Sequence, residues 1–237
     1  MGDFGERFIG AYNEIDRLMR SAVAMDRRTR FAEVAKAYAN EKRIPASQLD
    51  LLRMFGDLRN TLSHSDYHGS YPIAEPIPQI VDDIERLRDK IKSPPRAIDH
   101  LEDREVCLAN LDEPLSVALE HVRAYDYSQL PVYDQDQYRG ILTTNAIARW
   151  LAQHIAESRR ASNPPVRNIL FNFSEETDCA LIVDQSITAS EAIYMLSHGG
   201  QGQTPVNALI ITKNGRGTDD PLRVVVVHDL PILTAVL

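Results

Sequence analysis

The sequence predicts an α+β fold in which an all-α helical bundle, residues 1–93, precedes a repeated α/β unit over 96–237. Two proline-bearing linkers, at 92–96 and 158–165, support this division, because consecutive prolines remove backbone donors and cannot continue a helix. Before the first linker, apolar residues recur every three or four positions. After it, short β-rich apolar runs alternate with helical stretches. A chain of 237 residues is long enough for two cores.

The N-terminal part contains four apolar stripes with helical spacing. Ser47 precedes the third stripe and is a candidate N-cap, since its hydroxyl can accept a hydrogen bond from the first turn. Amphipathic helices of this kind bury their stripes against one another, so the stripes predict an all-α bundle. The stripes run from Phe4 to Val23, Phe31 to Tyr38, Leu51 to Leu62 and Ile77 to Ile91.

The C-terminal part contains one pattern twice, at an offset of 72 residues. In each copy a short strand leads to an Asp, a turn, a Ser or Thr helix cap and a helix. A single duplication of this size predicts two similar subdomains packed face to face, over 96–160 and 161–237. The matching residues are Cys107, Asp112, Pro114 and Ser116 in the first copy and Cys179, Asp184, Ser186 and Thr188 in the second.

The first copy resembles the CBS domain family over residues 104–155. Asp112-Glu-Pro-Leu-Ser116 is followed by a helix, by Ser128-Gln-Leu-Pro-Val-Tyr-Asp134, by a turn and by Gly140-Ile-Leu-Thr-Thr-Asn145. The second copy is more divergent. The resemblance implies a pseudo-twofold pair whose cleft binds an adenine nucleotide (AMP, ADP or ATP) or S-adenosylmethionine as a regulatory ligand, with no metal required. It also implies association as at least a homodimer.

The same resemblance implies which residues contact the ligand. The family places a Thr at the end of the GxxT strand and an Asp three residues later for the ribose. In the first copy Thr143 is followed by Ala146, whereas in the second copy Asp229 follows Val226. Neither half-site has the full pair, so a degenerate pair that serves only as a dimerisation platform is an alternative. The candidate ligand-binding residues are Gln129, Pro131, Thr143, Asn145, Asn207 and Asp229.

The end of the third predicted helix, Arg59-Asn60-Thr61-Leu62-Ser63-His64, resembles the R-N-x-x-x-H motif of HEPN domains. In active members this motif marks a metal-independent ribonuclease that works as a dimer. The resemblance implies catalysis by Arg59, Asn60 and His64. His can act as a general acid or base near neutral pH, and Arg can hold a phosphate with two hydrogen bonds. The alternative is that the helix dipole simply favours a histidine such as His64 at the helix C-terminus, and that Arg59 forms an ion pair with Asp57.

Charge and composition restrict the function. Residues 1–96 carry 16 Lys and Arg against 15 Asp and Glu, whereas residues 97–237 carry 10 against 19. An acidic surface repels a polyanion, so RNA contact is expected only in the N-terminal part. Two cysteines give neither a disulfide framework nor a thiolate zinc site. No apolar stretch reaches the roughly 18 residues that span a bilayer, which predicts a cytoplasmic protein without a membrane partner.

Two functions follow from these features. In the first, the CBS pair senses an adenosine-containing ligand and controls a HEPN-like effector that cleaves RNA. In the second, the protein is a non-catalytic sensor or adaptor that dimerises and docks a partner protein.

Overall fold

The computed structural model describes residues 2–63, 66–67, 71–72, 74–156, 163–175, 178–199 and 206–237. The chain divides into two compact units. We call Met1–Pro95 the helical unit and Arg96–Val236 the sheet unit. None of the described helices combines the length and the apolarity that a membrane crossing requires.

The helical unit contains the four predicted helices. Aromatic residues hold its core together: the rings of Phe8 and Phe55 meet edge to face with centroids 5.8 Å apart, and both side chains are fully buried. Truncating such a side chain typically costs about 3–5 kcal/mol of stability. The helices are α1 (Asp3–Ala22), α2 (Phe31–Lys42), α3 (Ala46–Ser63) and α4 (Pro78–Lys92), and a small hairpin of β1 (Asp66–Tyr67) and β2 (Tyr71–Pro72) lies between the last two.

The N-cap predicted at Ser47 is wrong. Helix α3 begins at Ala46, because the carbonyl of Pro45 accepts the first helical hydrogen bonds, from the backbone N–H groups of Gln48 at 3.0 Å and Leu49 at 3.2 Å. Ser47 therefore lies inside the first turn.

The sheet unit contains two halves with one topology. In each half the first strand pairs parallel with the second, and the second pairs antiparallel with the third. Helix α7 (Val166–Phe173), which the sequence did not predict, separates the halves. The first half contains β3 (Ala109–Asn110), α5 (Leu115–Tyr125), β4 (Gln129–Asp134), β5 (Gln137–Thr143) and α6 (Thr144–Ala156). The second contains β6 (Ala180–Asp184), α8 (Ala189–His198), β7 (Ala208–Thr212), β8 (Pro221–Val226) and α9 (Leu230–Ala235).

The two halves exchange their leading segments. The backbone N–H of Ala97, which follows the first pair of prolines, donates to the carbonyl of Ile187 in the second half at 2.9 Å. The N–H of Val166, which follows the second pair of prolines, donates to the carbonyl of Glu113 in the first half at 2.9 Å. Each pair of prolines therefore precedes a segment that is hydrogen-bonded to the opposite half.

Helix α7 belongs to the core of the first half. Its Val166, Ile169 and Leu170 are buried in the same cluster as Leu130, Leu142 and Trp150. Close packing explains Gly140, because a Cβ atom there would lie 3.0 Å from Leu170 Cδ1, and its φ of +153° disfavours other residues.

Only one of the two helix caps predicted in the sheet unit is correct. Thr188 caps α8 in a capping box, in which its Oγ1 accepts from the N–H of Glu191 and the Glu191 carboxylate accepts from the N–H of Thr188. Ser116 does not cap α5, because that helix begins at Leu115. The side chain of Asn163 takes the capping role there and accepts the Ser116 N–H at 2.9 Å.

Candidate functional site

A cleft of about 780 Å³ opens between the two halves of the sheet unit. Its lining residues lie within three segments, residues 101–107 before β3, residues 125–131 at the start of β4, and residues 223–232 from β8 into α9. Three of the predicted ligand-binding residues line this cleft, namely Gln129, Pro131 and Asp229.

Aliphatic side chains form one wall of the cleft. Side chains of a strand alternate between faces, and in β8 Val225 is fully buried in the core while Val224 and Val226 line the cleft. Pro131 and Ile232 also line it. Together these residues offer an apolar surface of the kind that binds a flat heteroaromatic ring.

Asp229 is held in place at the end of this wall. It lies in the short 3-10 turn after β8, where its Oδ2 accepts the backbone N–H of Val226 at 2.8 Å. Among the described residues Oδ1 accepts no hydrogen bond. A carboxylate fixed in this way has one oxygen for a hydroxyl group of a ligand.

Polar groups at the start of β4 are also oriented. Tyr127 donates its hydroxyl hydrogen to the carbonyl of Glu105 at 2.9 Å, and burial raises the pKa of that phenol. The Ser128 hydroxyl donates to Gln129 Oε1 at 2.6 Å, so the Gln129 side chain has its NH₂ group left to donate to a ligand. The cleft thus has a positioned donor and a positioned acceptor. Burial raises the pKa of the Cys107 thiol in the same cleft, which disfavours a reactive thiolate there.

The structure places Thr143, Asn145 and Asn207 outside the lining of this cleft. Thr143 is the last residue of β5 and only 2% exposed, and its hydroxyl donates to Asp178 Oδ1 at 2.8 Å. Asn145 is exposed on α6. The backbone N–H of Asn207 donates to the carbonyl of Cys179 at 2.8 Å, next to Asp178.

Asp178 is the centre of a buried polar cluster, which we call the Asp178 cluster. Its side chain is 2% exposed, and its Oδ2 accepts from Arg149 Nη2 and from the backbone N–H of Glu175, the latter at 2.9 Å. Arg149 Nε donates in turn to the carbonyl of Phe173 at 3.2 Å. Together with the Thr143 hydroxyl, three donors satisfy this carboxylate.

In the repeat, the residues of the Asp178 cluster are equivalent to residues that line the cleft. Thr143 ends β5 as Val226 ends β8, so Ala146 corresponds to Asp229 three residues later and Arg149 to Ile232 six residues later. At the offset of 72, Asp178 corresponds to Val106. Val106, Val226, Asp229 and Ile232 all line the cleft. The apolar side chains of Val106, Val226 and Ile232 in the cleft thus correspond to Asp178, Thr143 and Arg149, which form an ion pair and a hydroxyl hydrogen bond in the Asp178 cluster.

The motif in the helical unit is described only in part, because His64 lies outside the described residues. The guanidinium of Arg59 lies 5.9 Å from the centroid of the Tyr12 ring, and its Nη1 is 3.5 Å from Asn60 Oδ1. Arg59 Nε is buried without a hydrogen-bond partner among the described residues. Burial raises the pKa of Tyr12 to about 12, and the nearby Arg59 partly opposes this shift.

The described residues contain no group of three or more His, Cys, Asp or Glu side chains placed to hold a metal ion. No curated protein matches this chain.

Several solved structures are similar to the chain. One is a CBS domain-containing protein of unknown function from Kribbella flavida DSM 17836, with 15% identity over 56% of this chain and 94% of that one and a TM-score of 0.41. Another is CBSX2 in complex with AMP, with 14% identity over 60% and 96% and a TM-score of 0.42. A third is the CBS domain pair of protein MJ0100 with 5′-methylthioadenosine and S-adenosyl-L-methionine, with 16% identity over 59% and 95% and a TM-score of 0.43.

The model of the CBS domain family matches residues 99–153, which span the first half of the sheet unit. This match agrees with the resemblance carried by Asp112–Ser116, Ser128–Asp134 and Gly140–Asn145. Residues 99–153 of this chain therefore form a CBS domain.

Proposed function

We propose that the sheet unit is a pair of CBS subdomains that binds an adenosine-containing ligand in the cleft and thereby regulates the helical unit. The observation that carries this proposal is the fixed carboxylate of Asp229 beside the aliphatic wall of Val224 and Val226. An apolar slot next to a carboxylate matches the two ends of a nucleoside, since adenine is flat and largely apolar and ribose presents hydroxyl donors.

Each part of the nucleoside has a candidate partner. The adenine ring would lie against Val224, Val226 and Pro131, with the Gln129 amide as a donor to a ring nitrogen. The ribose hydroxyls would donate to Asp229 Oδ1. The second half, residues 161–237, is included in this proposal as the second CBS subdomain because its strand order repeats that of the first.

The test is calorimetric titration of the purified protein with AMP, ADP, ATP and S-adenosylmethionine. We expect at least one of these compounds to bind well below millimolar concentration, and Asp229→Ala to weaken that binding about tenfold to a hundredfold, because a hydrogen bond to a charged group contributes about 1.5–3 kcal/mol. Asp220→Ala, which removes an exposed carboxylate outside the cleft, is the matched control. Millimolar or weaker binding of every compound would favour a degenerate pair that serves as a dimerisation platform.

For the helical unit, we propose metal-independent RNA cleavage by Arg59, Asn60 and His64 as the candidate output. The observation that favours it is the neighbouring placement of Arg59 and Asn60 on α3, with an Arg59 Nε that has no partner among the described residues. Arg59 also forms no ion pair among the described residues, and a charged guanidinium donates strongly to phosphate oxygens. The alternative output is a non-catalytic one, in which the protein forms a homodimer and docks a partner protein.

RNA degradation in EDTA distinguishes these outputs. Cleavage by the wild type but not by His64→Ala, measured with and without the nucleotide that binds most tightly, would support the ribonuclease. His100→Ala, an exposed histidine of the sheet unit, serves as the control. If the wild type leaves RNA intact under both conditions, the ribonuclease proposal fails and the adaptor remains.

A further inference from the structure

The charges that line the cleft are unbalanced. Four carboxylates, those of Glu102, Glu105, Asp126 and Asp229, face two guanidinium groups, those of Arg104 and Arg223. With histidine counted as neutral, the lining carries a formal charge of −2. A cleft concentrates the field of its lining charges, so its net sign influences which ligands enter it.

Both arginines of the cleft are already paired. Arg104 donates from Nε at 2.7 Å and from Nη2 at 2.6 Å to one carboxylate oxygen of Glu102. This hydrogen bond is the main cause that raises the pKa of Arg104. Arg223 pairs with Asp103 through Nη2 and donates from Nη1 to the carbonyl of Leu222 at 2.6 Å. Arg223 Nε is buried without a hydrogen-bond partner among the described residues, but at either arginine a phosphate would have to compete with the carboxylate that already pairs with the guanidinium.

Hydroxyl donors are also scarce along the lining. The Ser128 hydroxyl donates to Gln129 and the Tyr127 hydroxyl donates to Glu105, so of the hydroxyls along the lining only that of Tyr125 has no hydrogen-bond partner among the described residues. At the end of β8, Val226 stands where Thr143 ends β5, so the position has no hydroxyl that could donate to a phosphate oxygen. Phosphates bind where several donors converge, and these side chains do not supply such a group.

Two carboxylates remain for a cationic ligand. Among the described residues neither Glu105 nor Asp126 forms an ion pair, and both line the cleft. A sulfonium or ammonium group carried on the 5′ side of an adenosine would be attracted by them, whereas a 5′-phosphate would be repelled.

We propose that the cleft selects adenosine compounds whose 5′ substituent is neutral or cationic over those that carry phosphates. This inference rests on the proposed function and deepens it, because it names the ligand class within the adenosine-containing compounds. Glu105 and Asp126 are the residues that determine this selectivity, while Asp229 holds the ribose that all of these compounds share.

The experiment compares four probes that differ only beyond the 5′ carbon, namely 5′-methylthioadenosine, S-adenosylmethionine, AMP and ATP. Calorimetric titration of the full chain at low and at high salt gives the affinities. We expect S-adenosylmethionine and 5′-methylthioadenosine to bind at least about tenfold more tightly than ATP at low salt. We also expect added salt to narrow this gap, because it screens the repulsion of the phosphates.

The variant Glu105→Gln/Asp126→Asn tests the two residues directly. It should lower the ratio of S-adenosylmethionine affinity to AMP affinity by about tenfold, and Glu120→Gln, an exposed acid of α5 outside the cleft lining, should leave the ratio unchanged. The same ratio in the wild type and the double variant would overturn the inference.

The remaining outcomes separate this inference from the proposed function. Tighter binding of ATP that weakens with salt would mean that Arg104 and Arg223 form a phosphate site, which overturns the selectivity but leaves the adenosine site. Binding of none of the four probes to the wild type would overturn the adenosine site itself, and the selectivity with it.

Discussion

The two halves of the sheet unit share one strand order but place different chemistry at equivalent positions. In the cleft, Val226, Asp229 and Val106 leave an open volume with a carboxylate at its edge. At the equivalent position Thr143, Ala146 and Asp178 form a closed cluster, in which the chain satisfies its own carboxylate. Two halves with the same strand order therefore differ in a few side chains, which leave an open cleft at one position and form a satisfied ion pair at the other.

The strongest test of this comparison measures how many ligand molecules each chain binds. We expect the wild type to bind one adenosine compound per chain in a calorimetric titration with S-adenosylmethionine, because the Asp178 cluster fills the second position. Asp229→Ala should weaken this binding event about tenfold to a hundredfold, whereas Thr143→Val should leave it unchanged. Two binding events per chain, or full binding by Asp229→Ala, would contradict the assignment of different roles to the two halves.

The second test concerns stability. Asp178→Ala should lower the free energy of unfolding by about 3 kcal/mol, because it leaves the partly buried Arg149 with only the exposed carboxylate of Glu175 as a counter-ion. Arg149 is 30% exposed, which keeps the loss at the lower end for a buried pair. Asp229→Ala removes one hydrogen bond to a backbone N–H and should cost only about 1 kcal/mol.

Trp150 makes this measurement selective. It is the one tryptophan of the chain and is buried in the sheet unit, so its fluorescence during urea unfolding follows that unit. Equal losses of stability for the two alanine variants would show that Asp178 has no special structural role.

The third test compares the helix caps of the two halves. Thr188→Ala breaks the capping box of α8 and should lower the free energy of unfolding by about 1 kcal/mol. Ser116→Ala should cost less than about 0.5 kcal/mol, because Asn163 caps α5 through the Ser116 backbone N–H, and the Ser116 hydroxyl makes only an exposed contact in which it accepts from Asn163 Nδ2 at 2.9 Å. Urea unfolding followed at Trp150 measures both, and a larger loss for Ser116→Ala would contradict the assignment of the cap to Asn163.

The smallest expected effect lies in the central strands. The hydroxyl of Tyr133 in β4 is buried without a hydrogen-bond partner among the described residues, whereas every residue of β7 is buried and Ile210 stands at the corresponding place. Tyr133→Phe removes this unsatisfied group and should leave stability unchanged or raise it by about 1 kcal/mol. A clear loss of stability would mean that the hydroxyl has a partner.

The sequence predicted those features that depend on local pattern. The four helices of the helical unit follow from apolar stripes, and the CBS domain follows from a motif of contiguous segments between Asp112 and Asn145. Thr188 was predicted as a cap from the repeated pattern of strand, Asp, turn and helix, and the structure shows its capping box with Glu191. Asp229 was predicted from the resemblance to CBS domains, which places an Asp three residues after the Val226 position, and it lines the cleft.

Features that depend on distant contacts were not predictable in this way. The Asp178 cluster joins β5, α6 and the segment before β6, so no local spacing brings Thr143, Arg149 and Asp178 together. A comparison of the two copies offered one signal, since a carboxylate at Asp178 replaces Val106. Helix α7 was missed because its core contacts are with the preceding half, and Asn163 because it caps a helix 47 residues earlier in the chain.

The exchanged leading segments have a consequence for proteolysis of the sheet unit. Each half supplies an acceptor to the segment of the other, because the Ala97 N–H donates to Ile187 and the Val166 N–H donates to Glu113. Proteolysis of the backbone between α6 and α7 would therefore yield two fragments that remain associated, because each fragment contains a segment that is hydrogen-bonded to the other.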